Sequence, residues 1–208
     1  MNIGEMEENY GEKYMDKINL AIWEKFRIKR RDNLPFRGWR GKREQFAELL
    51  GELHYNEGAE IGVQRGLYSE ILFQKNPNLH LLCIDTWKGF SRHITDEINE
   101  QIYQECLQRL ASYNVTIMRM GSMEAVKQIP DNSLDFIYID QLHDFDSVMS
   151  DLIFWVPKVK LGGIVAGHDY CENYQYGVIE AVRSYTFAHS VWQWYVTREH
   201  ESTFFWVK

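Results

Sequence analysis

The feature that most constrains the fold is the alternation of short apolar runs with helical segments from Glu57 onward. The runs Leu79 to Asp85 and Leu134 to Asp140 are almost wholly apolar, as expected of parallel strands that are buried on both faces. Segments with helical periodicity separate such runs, which is the pattern of repeated βαβ units. The alternation therefore predicts a Rossmann-like α/β fold, in which a doubly wound, mostly parallel sheet carries helices on both faces.

The pattern places seven strands in this sheet, and their predicted bounds are Ala59–Val63, Leu79–Asp85, Val115–Met120, Leu134–Asp140, Gly163–Gly167, Val191–Thr197 and Ser202–Val207. The predicted helices between them are Leu67–Gln74, Asp96–Leu110, Met123–Gln128, Asp146–Val156 and Tyr176–Ala188. Only Arg198 to Glu201 separate the last two strands, which is too short for a crossover helix. These two strands are therefore predicted to form an antiparallel C-terminal hairpin.

The first 56 residues have a different pattern, in which apolar side chains recur at helical spacing. One helix is predicted from about Tyr14 to Ile28, and a second carries Phe46, Leu49, Leu50 and Leu53. We expect residues 1–56 to form a small N-terminal helical cap on a domain that spans residues 57–208.

Charge and composition restrict the function. A net charge of -7 argues against a general nucleic-acid binder. No apolar run approaches the roughly 20 residues that span a bilayer, and the acidic amino terminus does not resemble a secretory signal. Three cysteines without paired spacing favour reduced thiols. These features predict a cytoplasmic protein without a membrane partner.

One basic cluster departs from the acidic balance, and its members are Lys25, Arg27, Lys29, Arg30, Arg31, Arg37, Arg40, Lys42 and Arg43. It has two interpretations: a solvated helix face, or a surface for an acidic substrate, a phosphate or an RNA backbone.

A glycine turn follows the first strand of the predicted sheet. Gly62 allows close approach of a ligand to the backbone, and Gly66 allows close packing at the start of the next helix. Glu60 and Arg65 stand where a dinucleotide fingerprint requires glycine, and Glu60 would repel a pyrophosphate. Asp85 follows at the distance of about 20 residues from which an acid binds ribose hydroxyls. A ribose and a cation without a pyrophosphate describe S-adenosylmethionine. Ser122 and Met123, after the third strand, are expected either at its adenine or, as the structural alternative, as a helix cap and a core methionine.

Several motifs together resemble a family of class I methyltransferases. They are the EIGVQRG turn, the IDTW segment, the stretch from Asp135 to His143, Asp151-Leu152, and the stretch from Gly162 to Tyr170. The resemblance is to macrocin O-methyltransferase and its relatives, and more distantly to catechol O-methyltransferase. It covers the chain from about Glu57 to the carboxyl terminus, whereas the first 50 residues match no family that we can name.

The resemblance implies a divalent cation, Mg²⁺ or another, that binds the acceptor oxygens. Asp140, His168 and Asp169 occupy the positions of its ligands, although the relatives carry a carboxylate or an amide where this chain has His168. His143 occupies the position of the general base, and Asp140 also contributes to catalysis and to the cofactor site. The structural alternative for Asp140 and His143 is a helix cap and a hydrogen-bonded loop histidine.

The resemblance implies O-methylation of a small hydroxylated substrate, and a homo-oligomer is compatible with the sequence. Three alternatives remain open: an RNA ribose methyltransferase, a nicotinamide-dependent oxidoreductase, and a non-catalytic binding protein on the same fold. The RNA ribose methyltransferase is disfavoured because this sequence has no lysine at a strand end, where that class usually carries its catalytic lysine. The oxidoreductase is disfavoured because Glu60 and Arg65 stand in the glycine turn. The non-catalytic binding protein is disfavoured because the sequence keeps the expected site residues Glu60, Gly62, Asp85 and Asp140.

Overall fold

The computed structural model describes residues 17–28, 34–38, 41–88, 95–172 and 177–208. The strands in chain order are β1 (Phe36–Arg37), β2 (Glu57–Ile61), β3 (His80–Asp85), β4 (Val115–Arg119), β5 (Leu134–Ile139), β6 (Val159–Gly167), β7 (Trp194–Val196) and β8 (Phe204–Val207). The helices are α1 (residues 17–26), α2 (Arg43–Glu52), α3 (Leu67–Lys75), α4 (Asp96–Leu110), α5 (Ser122–Ala125), α6 (Phe145–Trp155) and α7 (Val178–Ala188). Short 3-10 turns follow α5 and α6 at Val126–Gln128 and Val156–Lys158.

The strands form one sheet in the order β1-β7-β8-β6-β5-β2-β3-β4. β8 runs antiparallel to its neighbours β6 and β7, and the other neighbouring pairs are parallel. The predicted Rossmann-like sheet with its antiparallel C-terminal hairpin is therefore confirmed. β1 pairs with β7 and adds an eighth strand to the seven predicted ones. A strand of two residues is too short to show any periodicity in the sequence.

Some predicted boundaries shift in the structure. α4 begins and ends at the predicted residues, and the Thr95 side chain caps it by accepting a hydrogen bond from the Ile98 amide at 3.4 Å. β6 begins at Val159 rather than at the predicted Gly163, because the register shifts within this strand pair and Gly162-Gly163 lies inside the strand. The predicted helix starts at Tyr14 and Tyr176 lie outside the described residues.

The sheet separates two apolar cores. Along β5, Phe136 and Tyr138 face one core together with α1 to α4, whereas Ile137 and Ile139 face the other together with α6 and α7. A strand in contact with both cores has apolar residues at successive positions, which explains its uninterrupted apolar sequence.

The N-terminal helices pack directly on the sheet. α1 buries Ile18, Ile22 and Phe26, and the rings of Phe26 and Phe205 lie 5.2 Å apart between centroids. α1 and α2 thus belong to the same core as α3 and α4. The division into a cap of residues 1–56 and a domain of residues 57–208 stays a prediction. Among the described helices, none is both long and apolar enough to cross a membrane.

Candidate active site

The ends of four neighbouring strands meet where the strand order reverses, between β2 and β5. Backbone hydrogen bonds tie these ends together. The Gly62 amide donates to the Ile84 carbonyl at 2.8 Å, the Asp140 amide to Ile61 at 2.7 Å, and the His168 amide to Ile139 at 2.9 Å. In doubly wound sheets, ligands bind in the crevice outside such a reversal. The side chains that follow these strands are therefore the first candidates for function.

A cleft of about 700 Å³ opens at this edge, and predicted site residues that line it are Glu60, Gly62, Asp85, Asp140 and His143. A second cavity, of about 340 Å³, is lined by Ser122 and Met123. The two cavities share Gln141 and Leu142 as lining residues, so they adjoin each other. The volume of each lies within the range that is typical of small-molecule sites.

Gly62 lies where the turn passes closest to the end of β5. Its φ is +94°, and a Cβ atom built on it would lie 2.0 Å from the Asp140 carbonyl oxygen. No side chain fits at that position. Gly66, with φ of +71°, packs against Cys106 and Leu110 and is not among the residues that line the cleft. This position agrees with the close packing that the sequence predicts for Gly66, and its inclusion among the cofactor-binding residues stays a prediction.

The carboxylate of Asp85 organises the glycine turn. Its Oδ2 accepts the amides of Val63 at 3.0 Å and Gln64 at 2.9 Å, and its Oδ1 accepts the amide of Trp87 at 2.7 Å. The Trp87 indole in turn donates to the Gln64 carbonyl at 2.7 Å. A carboxylate has about four acceptor sites, so three of them are used within the protein. Room remains for about one ligand hydroxyl, rather than for both hydroxyls of a ribose.

Glu60 is almost fully buried at the floor of the cleft, where only 1% of its surface is exposed. Its Oε2 accepts a hydrogen bond from the Ser69 hydroxyl, and the Ser69 oxygen accepts one from the Cys83 thiol. Burial raises the pKa of Glu60 to about 8, against the opposing effect of the Ser69 hydrogen bond. A buried acid of this kind favours a cationic ligand, because the ligand's charge would stabilise the carboxylate.

The Ser122 hydroxyl is less available for a ligand than the sequence suggests, because it is already hydrogen-bonded within the protein. Its hydroxyl donates to Oδ1 of Asp151 and accepts from the Trp155 indole at 2.7 Å. Both Asp151 and Ser122 also line the smaller cavity. Burial raises the pKa of Asp151 to about 6, and the Ser122 hydrogen bond opposes that shift. Ser122 therefore holds Asp151 in place at the wall where the adenine was expected.

Four polar side chains converge after β5 and β6. Nε2 of His143 lies 2.7 Å from Oδ2 of Asp169 and 3.5 Å from Oδ1 of Asp140. Nδ1 of His168 lies 3.4 Å from Oδ1 of Asp169 and 3.9 Å from Oδ1 of Asp140. Burial lowers the pKa of His143, but hydrogen bonds to Asp140 and Asp169 outweigh it and raise that pKa to about 9. Burial raises the pKa of Asp169, but the two histidines outweigh it and hold that pKa well below its usual range.

This cluster fits a divalent cation. One ligand atom from each of Asp140, His143 and Asp169 lies within 4.8 Å of the others. Ligand bonds of about 2.1 Å at right angles would place donor atoms about 3 Å apart, and His143 Nε2 lies 2.7 Å from Asp169 and 3.5 Å from Asp140. The sequence placed His168 in the ligand set and His143 as the base, whereas the group of ligand atoms that lie together in the described residues contains His143 and not His168. The assignment of roles between them stays a prediction.

The basic cluster divides in the structure. Lys29, Arg30, Arg31 and Arg40 lie outside the described residues. Lys25 pairs with Glu48 and Glu52 on α2, at 3.5 and 2.8 Å. These pairs agree with the interpretation of the cluster as a solvated helix face. Arg43, by contrast, lines the cleft. No local feature of the sequence separates Arg43 from its basic neighbours, because its place at the cleft depends on long-range packing.

Comparisons with known proteins agree with this architecture. A family model described as a methyltransferase domain matches residues 59–170, which is more than half of the chain. The uncharacterized protein y4gI of Sinorhizobium fredii is 28% identical over 93 residues, which cover 42% of this chain. The match spans only 10% of the length of that relative.

Solved structures share the fold at low identity. The O-methyltransferase from Bacillus cereus, in complex with SAH, has a TM-score of 0.59 and 13% identity, and the match covers 94% of this chain and 91% of that one. The O-methyltransferase TomG from Streptomyces achromogenes, in complex with SAM, has a TM-score of 0.59 and 14% identity, with coverage of 94% and 89%. The family model and the strand order together show that this chain belongs to the class I methyltransferase-domain family.

Proposed function

We propose that the protein transfers the methyl group of S-adenosylmethionine to a hydroxyl of a small molecule, with a divalent cation assisting. One observation carries the proposal: a buried acid, Glu60, and a strand-end acid, Asp85, line the same cleft as the cluster of Asp140 and His143. Cofactor groups and reacting groups are thereby within one ligand's length of each other. The net charge of -7 favours a small acceptor over a nucleic acid.

In this proposal the cofactor lies along the two adjoining cavities. Glu60 accepts its ammonium group and Asp85 accepts one ribose hydroxyl. The adenine occupies the smaller cavity, between Met123 and Leu142, and the side chain of Leu142 is 55% exposed in the free protein. The SAM and SAH complexes of the structural relatives support this choice of cofactor, because those proteins share the overall fold of this chain.

The chemistry requires few protein groups. A methyl group moves from the sulfonium to the acceptor oxygen by in-line displacement, so positioning and exclusion of water supply most of the acceleration. His143, in its neutral form, takes the acceptor's hydroxyl proton as the new carbon–oxygen bond forms. Because Asp140 and Asp169 raise the pKa of His143 to about 9 in the free protein, the neutral form predominates only above that pH. Asp140 and Asp169, with His168 beside them, would hold a divalent cation, which supplies positive charge at the acceptor oxygen. α1 and α2 form the proposed cap that limits access of water.

A methyl-transfer assay tests this proposal. The protein is incubated with S-adenosylmethionine labelled in the methyl group and with a panel of phenols, catechols and sugars, with Mg²⁺, Mn²⁺ or a chelator. We expect labelled O-methyl products whose formation falls at least tenfold with chelator and returns with added metal. Transfer to amines alone would contradict O-methylation. Equal rates with and without chelator would contradict the role of the cation.

A further inference from the structure

Arg43 is the first residue of α2 and reaches the cleft from the N-terminal part of the chain. It lies outside residues 59–170, the part that the family model matches. Its side chain is half-buried and shares the cleft lining with Glu60 and Asp140. Arg43 therefore brings a charged side chain from the N-terminal part of the chain to the wall of the cleft.

The backbone of Arg43 is fixed on both sides. Its amide group hydrogen-bonds to the carboxylate of Glu199, and its carbonyl accepts the Tyr68 hydroxyl at 3.1 Å. The guanidinium carbon lies 5.3 Å from the centroid of the Tyr68 ring, within range of a cation–π contact. Since Tyr68 also lines the cleft, this contact holds the guanidinium along the cleft wall.

The guanidinium has no close carboxylate partner among the described residues. Arg65, Arg109 and Arg119 each form an ion pair with a glutamate. Arg43 forms no such pair within the part of the chain that the structure describes, and Asp140 and Glu199 act on its charge only through space. A half-buried guanidinium gains most from a planar, bidentate anion such as a carboxylate.

Glu60, once ionised, and Arg43 present opposite charges in one cleft, and the positive charge of Arg43 favours that ionised form of Glu60. An amino-acid head group carries an ammonium and a carboxylate on the same carbon, so it matches this pair of charges. We propose that Arg43 binds the carboxylate of the methionine end of S-adenosylmethionine, opposite the ammonium bound by Glu60. This inference rests on the proposed function and extends it to the N-terminal part of the chain.

The test compares two cofactors that differ only in this carboxylate. Calorimetric titrations measure the Kd of S-adenosylmethionine and of its decarboxylated analogue for the wild type, for Arg43→Gln and for Arg43→Lys. We expect Arg43→Gln to weaken S-adenosylmethionine about tenfold to a hundredfold, as the loss of a charged hydrogen bond does. The analogue should change less than about threefold, and Arg43→Lys should fall between Arg43→Gln and the wild type.

Arg119→Gln is the matched control, because Arg119 pairs with Glu100 outside the cleft lining. It should leave both dissociation constants unchanged. Equal weakening of both ligands by Arg43→Gln, or an unchanged Kd for S-adenosylmethionine, would overturn the inference while leaving the proposed function in place. A wild-type protein that binds neither ligand would overturn the proposed function and this inference with it. Arg43→Lys, which keeps the charge, gives the answer if Arg43→Gln does not fold.

Discussion

Nε2 of His143 lies 2.7 Å from Oδ2 of Asp169, a contact that joins the ends of β5 and β6. The His143 carbonyl also accepts the Gly177 amide at 2.8 Å, which ties the loop after β5 to the start of α7. The imidazole is thus held by two strand ends at the edge of the cleft. This arrangement suits a residue that must meet a reacting oxygen in a fixed position.

Replacement of His143 tests its role directly. We expect His143→Gln to lower kcat by about 10² to 10⁴, the usual contribution of a general base or acid. The Kd of S-adenosylmethionine should stay within about threefold, because His143 is proposed to face the acceptor. His80→Gln is the control, since His80 pairs with Glu57 at the start of β2, far along the strand from the cleft. A fully active His143→Gln enzyme would show that the base is another group.

Replacement of Asp85 should affect both binding and stability. Asp85→Asn keeps the size of the side chain but removes an acceptor for one or more of three backbone amides. Each hydrogen bond to a charged group contributes about 1.5 to 3 kcal/mol to stability. We therefore expect a lower free energy of unfolding in urea and a Kd for S-adenosylmethionine raised at least tenfold. Asp131→Asn, which removes an exposed carboxylate paired with Lys158, should change neither quantity measurably. Unchanged cofactor affinity in a folded Asp85→Asn protein would rule out the ribose contact.

The pH dependence of cofactor binding should report Glu60. Its pKa is raised to about 8 in the free protein, so below that pH the acid is largely protonated and must lose its proton to accept an ammonium. Affinity should rise by about tenfold for each pH unit between pH 6 and 7.5, a window below the titration of the ligand's own amino group. Titrations in two buffers of different ionisation enthalpy should show release of a proton. Glu60→Gln should bind weakly and without this pH dependence; a persistent slope would assign the proton to another group.

The buried carboxylate of Asp151 should reduce stability at neutral pH. Because folding raises its pKa to about 6, the folded state favours the protonated form, and this stabilisation is lost as pH rises from about 4 through 6. Asp151→Asn keeps a hydrogen-bonding partner for Ser122 without the charge. We expect this variant to be more stable than the wild type at pH 8, by up to about 3 kcal/mol, with the difference shrinking toward pH 4. A difference independent of pH in urea unfolding would contradict the account.

Gly62 is expected to tolerate no side chain. A methyl group there would collide with the Asp140 carbonyl in a backbone conformation that only glycine adopts readily. Gly62→Ala should therefore lower the free energy of unfolding by more than about 2 kcal/mol and weaken cofactor binding. Gly121→Ala is the control for stability, because a Cβ atom at Gly121 would meet no atom within 4 Å. Equal stability of the two variants would show that the turn can move away from β5.

Most of the fold could be predicted from the sequence because local patterns of apolar residues indicate its strands and helices. The apolar runs of β3 and β5 and the periodicity of α4 identify elements whose neighbours follow from the rules of parallel sheets. The start of β6 was missed because Gly162-Gly163 has the composition of a turn but lies within the strand. β1 was missed because it has only two residues and is defined by its pairing with β7.

The site was predictable as a set of strand ends but not as a set of contacts. Sequence position placed Asp85 at the cleft, whereas its three bonds to backbone amides depend on how the glycine turn folds back. Spacing could not distinguish the roles of His143 and His168, because both approach Asp140 and Asp169 only through loop geometry. Arg43 reaches the cleft through contacts with Tyr68 and Glu199, which are distant from it in the sequence.

The most direct test of the central claim is a calorimetric titration of the wild-type protein with S-adenosylmethionine in the presence of Mg²⁺. The account predicts one site with a micromolar Kd, about -8 kcal/mol, which S-adenosylhomocysteine competes for and NAD does not. A protein that shows no binding of S-adenosylmethionine at millimolar concentration, with or without Mg²⁺, would contradict the assignment of the cleft to this cofactor.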